Sequence, residues 1–215
     1  MQLSAEQIQV LFSFTEKKKV HWYDLQLELV DHLACRIEEE MEADTSLSFE
    51  AAWNKVYKGF GLFGFAKVVQ EKQAQLHRVA KKMWWTEFKA FFKWPEISLL
   101  LLIALTLWKL PLNVKPTSLM RGFTGFYILI SVAFLIYVLR TRRTQRKLLL
   151  LQSGGSHLSW VVFFYEIFIL CSFNQFSKIE FCVYATLGIL FKLASFRLYN
   201  KVTAQAVQLY PEAFA

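Results

Sequence analysis

The stretch Lys81-Lys82-Met83-Trp84-Trp85-Thr86-Glu87-Phe88-Lys89-Ala90-Phe91-Phe92-Lys93-Trp94-Pro95 divides the chain. Cations at Lys81, Lys82, Lys89 and Lys93 interleave with six bulky aromatic rings. Indole rings favour the polar–apolar boundary of a bilayer, and lysines at that depth reach anionic headgroups. Before this stretch the chain is polar and patterned like a soluble protein. After it, apolar runs approach the length of a membrane span. We therefore expect residues 81–95 to be an interfacial basic-aromatic segment. Its expected membrane contacts are Lys81, Lys82, Trp84, Trp85, Lys89, Lys93 and Trp94.

Charge is distributed in the same way. Residues 1–71 carry 7 Lys/Arg against 12 Asp/Glu, a net −5; residues 72–94 carry 6 against 1, a net +5; residues 95–215 carry 12 against 4, a net +8. The basic surplus flanks apolar runs, whereas nucleic-acid binding needs a basic face on a folded soluble domain. No nucleic-acid partner is expected. Cys35, Cys171 and Cys182 lack any paired metal-binding spacing. Lys17, Lys18 and Lys19 are not followed by the apolar core of an export signal, so the N-terminal domain is expected to remain cytoplasmic.

Residues 1–80 read as an all-α domain. Leu3, Ile8, Leu11 and Phe12 are candidate core positions of a first helix over residues 2–16. From Tyr23 to Met41, Leu29, Val30, Leu33, Ala34, Ile37 and Met41 recur on one face at a period near 3.6. The other face is polar: Asp24, Glu28, Asp31, His32, Cys35, Glu39 and Glu42. Ser48 is placed to cap a helix carrying Phe49, Ala52, Trp53, Val56, Tyr57 and Phe60, with Glu50 at the positive end of its dipole and with Trp53 and Phe60 expected to be buried. Gly59-Phe60-Gly61 ends that helix. A fourth helix from near Leu62 is expected to run on toward Lys81.

These residues carry a resemblance. The pattern Tyr23-Asp24-x-x-x-Glu28-x-x-Asp31-His32-Leu33, an acidic gap, Ser48-Phe49-Glu50-Ala51-Ala52 and Gly59-Phe60-Gly61 resembles the HAAS signalling domain and the related permease prefix domains. It covers about residues 20–75 and departs from the pattern at Leu62-Phe63-Gly64-Phe65. The resemblance implies a bacterial inner-membrane protein in which a cytoplasmic sensing or regulatory module precedes membrane helices, with no enzymatic activity of its own.

Four transmembrane helices are expected, at about residues 95–112, 122–139, 158–175 and 179–196, with a cytoplasmic tail over 202–215. Pro95 is suited to the first position of the first span. Arg140, Arg142, Arg143, Arg146 and Lys147 follow the second span and mark the cytoplasmic side. Residues 148–156 read as a flexible connection. Both termini are then cytoplasmic.

Candidate chemistry is sparse. Glu28, Asp31, His32 and Cys35 share a helix face at i, i+3, i+4 and i+7, but no second helix offers matching ligands. We read Glu28, Asp31, His32 and Glu39 as a solvated or partner-facing stripe and expect no metal or cofactor. Glu166 lies deep in the third span, and Lys192 of the fourth is its natural partner. A structural ion pair is favoured over a proton or transport path, because little else polar lines a route. Cys171 and Cys182 flank one outer turn, and buried thiols are expected there, with a disulfide left to geometry. No phosphate-binding, hydrolase, zinc-protease or dinucleotide motif occurs. The expectation is a non-enzymatic membrane protein that acts on a protein partner or by self-association in the bilayer. A small transporter or channel subunit using Glu166 and Lys192 is the alternative.

Overall fold

The computed structural model of the protein describes residues 2–61, 64–109, 116–141, 146–154 and 177–214. Among the described residues the long helices are α1 (Ala5–Lys17), α2 (Tyr23–Ala43), α3 (Phe49–Lys58), α4 (Phe65–Ala90), α5 (Ile97–Trp108), α6 (Pro116–Thr141) and α7 (Lys178–Leu209). Residues 149–154 are also helical, and Pro211–Ala213 form a 3-10 turn. No strand occurs among the described residues. The third expected span, with Glu166, and Cys171 and His157 lie outside them.

Two compact units emerge. The first is drawn from Met1–Leu76, Thr144–Leu150 and Ala206–Ala215; the second from His77–Arg143 and Leu151–Gln205. In the first unit α2 lies at the centre. Its six expected apolar positions, from Leu29 to Met41, are all buried, together with Leu11 of α1, Ala52 and Val56 of α3, Phe65 and Leu149. Ser4 caps α1 through a reciprocal capping box with Gln7, a signal that the sequence reading passed over. Ser48 caps α3 by accepting from the Ala51 amide.

Several expectations need correction here. Trp53 and Phe60 line the core but are only half-buried. Trp53 meets Phe14 edge-on at 4.7 Å, with Tyr57 beside the same ring at 4.9 Å. The Gly59-Phe60-Gly61 stretch does end α3, with Gly61 in the left-handed conformation at φ +69°. Gly64 follows at φ +50°, where a Cβ would stand 2.8 Å from the Tyr57 hydroxyl. Residues 148–154 are not a flexible connection: Leu148, Leu149 and Leu151 are buried and residues 149–154 are helical.

In the second unit α6 and α7 run parallel. Tyr127 donates to the Gly188 carbonyl at 3.3 Å, Tyr137 to Asn200 at 3.1 Å, and Thr141 meets the Tyr199 hydroxyl at 2.5 Å. From Tyr127 in the middle of α6 to Tyr137 and Thr141 near its end, the partners move from Gly188 to Asn200 and Tyr199 of α7, which defines the direction. Residues 121–141 of α6 and the whole of α7 are long and apolar enough to cross a membrane. Helix α6 starts at Pro116, several residues before the expected 122, because proline suits the first helical turn. Helix α7 does not stop at Phe196 but continues to Leu209, since no proline or glycine occurs between Phe196 and Pro211. The first expected span is shorter than read: α5 has 12 residues and starts at Ile97, two positions after Pro95. At 1.5 Å per residue that is about 18 Å, short of the roughly 30 Å apolar core of a bilayer.

Gly154 permits a close approach in this unit. A Cβ there would stand 2.9 Å from Cγ1 of Val202 on α7.

Candidate functional site

The polar constellation of the first unit gathers at the N-terminus of α2. The chain leaves α1 through Lys19, a left-handed residue at φ +66°, and enters α2 with Trp22 at the cap position, whose side chain does not cap the helix. Helix starts leave amides that need acceptors. Here the start of α2 serves another segment instead. The Asp24 carboxylate accepts from the amides of Leu149 and Leu150, each at 2.9 Å, and from its own neighbour Leu25 at 3.1 Å. It thereby caps the helical residues 149–154 from a different part of the chain. The Tyr23 amide donates to the Lys147 carbonyl at 2.8 Å, so the same segment is held by backbone as well.

The C-terminal segment meets the same place. The Tyr23 hydroxyl donates to Glu212 at 2.7 Å, and the Arg146 guanidinium lies 4.3 Å from the centre of the Tyr23 ring. Burial, helped by the Asp24 and Glu28 carboxylates, raises the Tyr210 phenol above its usual range. Burial also pushes the Asp24 carboxyl up, against the pull of its backbone donors. Beside Tyr23 lies an open cleft of about 640 Å³, lined among others by Gln9, Glu16, His21, Arg146 and Lys147.

Asp24 is the residue that sequence reasoning misplaced. It was set on the polar face of α2, yet it is buried at 8% exposure. The available signal was faint: an acid in a first helical turn whose preceding residue, Trp22, cannot cap. The tail residues Tyr210 and Glu212 carried no signal at all.

The other sequence candidates lie elsewhere. Asp31, His32, Cys35 and Glu39 are exposed along α2. Glu28 pairs with Lys72 at 2.5 Å. Among the described residues no group of three or more His, Cys, Asp or Glu could hold a metal.

In the second unit the interfacial candidates separate. Lys81, Lys82, Trp85, Lys89, Lys93 and Trp94 are exposed, whereas Trp84 is buried and donates to Ser195 of α7 at 2.9 Å. Lys192 donates to Ser131 and sits 4.6 Å from the Tyr127 ring centre, both on α6. Cys182 is a buried free thiol.

Comparison with family models, with curated proteins and with solved structures found no match.

Proposed function

We propose that this chain is a multi-pass membrane protein whose N-terminal helical unit works as a non-enzymatic sensing or scaffolding module through protein–protein contact. The observation that carries the proposal is the junction at Tyr23 and Asp24. These adjacent residues hold the segment that follows α6 and the segment that ends α7. A partner that moves the start of α2 therefore acts on the exits of both long apolar helices. The exposed stripe Asp31, His32, Cys35 and Glu39 offers a polar surface for such a partner. The resemblance to the HAAS domain supports the same assignment and a bacterial inner membrane.

The parallel course of α6 and α7 supports the third of the four expected spans. Two neighbouring helices that cross in the same direction need a return crossing between them, and the apolar run at 158–175 supplies it in sequence. Residues 144–150 and 206–215 belong to one unit with the N-terminal helices, which supports a common side of the bilayer for all three. The cations from Arg140 to Lys147 support a cytoplasmic location for that side. Reporter fusions after Met83, Val114, Gln152, Ser177 and Ala215 then read in, out, in, out, in. An external C-terminus rejects the arrangement.

The module role is tested by co-purification in mild detergent with the Asp31→Lys, Glu39→Lys double variant as the control. A partner retained equally by both forms argues against the stripe as its contact. The alternative, a transporter or channel subunit, draws on Lys192. Its contacts with Ser131 and Tyr127 give that cation a structural use at the α6–α7 interface, which favours the regulatory reading.

A further inference from the structure

The C-terminal half of α4 is sorted by face. At 3.6 residues per turn, Arg78, Lys81, Lys82, Trp85 and Lys89 fall on one arc, and all are exposed. Ala80, Trp84 and Glu87 fall on the opposite arc, and all are buried. The sorting continues past the helix end, where Phe91 is buried while Phe92, Lys93 and Trp94 are exposed. Trp94 is 82% exposed and Trp85 44%.

The acids of this region are turned away from that face. Glu87 is the only Asp or Glu between Lys72 and Pro95, and it is buried and paired with Lys201. Glu96 is paired with Arg197 at 2.6 Å. The exposed face thus carries five cations, three large aromatic rings and no carboxylate. It leads directly into α5, whose Leu101, Leu102 and Leu105 are also exposed. A cationic rim with exposed indoles that continues into an apolar surface fits a headgroup layer. An acidic protein would satisfy the cations but leave the apolar continuation uncovered.

We infer that this face binds anionic phospholipid headgroups: Arg78, Lys81, Lys82, Lys89 and Lys93 meet the phosphates, and Trp85, Phe92 and Trp94 seat at the acyl boundary. Zwitterionic lipids carry no net charge to answer five uncompensated cations. The inference rests on the membrane reading above.

The test uses the full chain reconstituted in liposomes of equal phosphatidylglycerol and phosphatidylcholine, with one lipid brominated at a time. Brominated chains quench nearby indoles. Quenching by brominated phosphatidylglycerol is expected to be the stronger, and to fall to the phosphatidylcholine level in a Trp85→Phe, Trp94→Phe variant. Each Lys or Arg near an anionic surface contributes about 1 kcal/mol, or about fivefold in affinity at low salt. The Arg78→Gln, Lys81→Gln, Lys82→Gln, Lys89→Gln variant should therefore lose at least about tenfold in preference, with its helical circular dichroism unchanged because all four side chains are exposed. Equal quenching by the two lipids in the parent protein overturns the inference while leaving the membrane reading intact. Absence of quenching by either lipid, with release of the chain by alkaline carbonate, overturns both.

Discussion

The Asp24 carboxylate caps the amide of Leu149 across 125 positions of sequence, at 2.9 Å. Leu149 itself is a member of the first unit's core, so the polar contact and the apolar one hold the same residue. A short segment between two apolar stretches is thereby built into the N-terminal helical unit.

Replacing Asp24 by Asn tests this cap. An amide keeps one acceptor oxygen, so the Leu149 bond can persist, but its NH2 group faces the Leu150 amide, donor against donor. A buried donor left without an acceptor costs about 1–3 kcal/mol. Hydrogen exchange at Leu149 and Leu150 should accelerate accordingly, and more so in Asp24→Ala. Unchanged protection in both variants would show that the cap contributes nothing.

A pH dependence follows from the burial of the same carboxyl. Its folded value lies above the ordinary 3.8 because desolvation outweighs the backbone donors. The folded state therefore holds its proton more tightly than the unfolded chain. The linked stability is fully present below the ordinary carboxylate range and is lost as pH rises through the raised folded value. Subtracting the Asp24→Asn melting curve from the parent's, pH by pH, should isolate that fall. A difference that grows with rising pH contradicts the assignment.

Trp53 tests the aromatic edge of the first unit. It is half-buried, with Phe14 at 4.7 Å and Phe49 at 5.9 Å. Full truncation of a core aromatic costs about 3–5 kcal/mol, and partial burial scales this to roughly 2. Urea unfolding of Trp53→Ala should show that loss. A parent-like midpoint would assign Trp53 to an outside partner.

In the second unit, Gly154→Ala should destabilise by about 1–3 kcal/mol, since Val202 is a stiff, β-branched neighbour that cannot rotate away. Adding Val202→Ala removes both methyl groups from the clash and should recover part of the loss. Thermal melts of the four proteins in one detergent form the double-mutant cycle. Additive losses would mean that the two side chains do not meet.

The sequence by itself determined the buried face of α2, the Ser48 cap, the run of α4 toward Lys81 and the long apolar character of α6 and α7. Each of these is written in a few turns of helix, where periodicity, capping chemistry and hydropathy are local properties. Only the tertiary structure decided that Asp24 lies inside, that Leu149 joins the first core, and that Trp84 turns to Ser195 while Trp85 faces out. It also decided the parallel pairing of α6 with α7. A helical period says which residues share a face, not which segment will cover that face. For Asp24 the covering segment is 125 residues away, and the amides it offers are what make a buried carboxylate tenable.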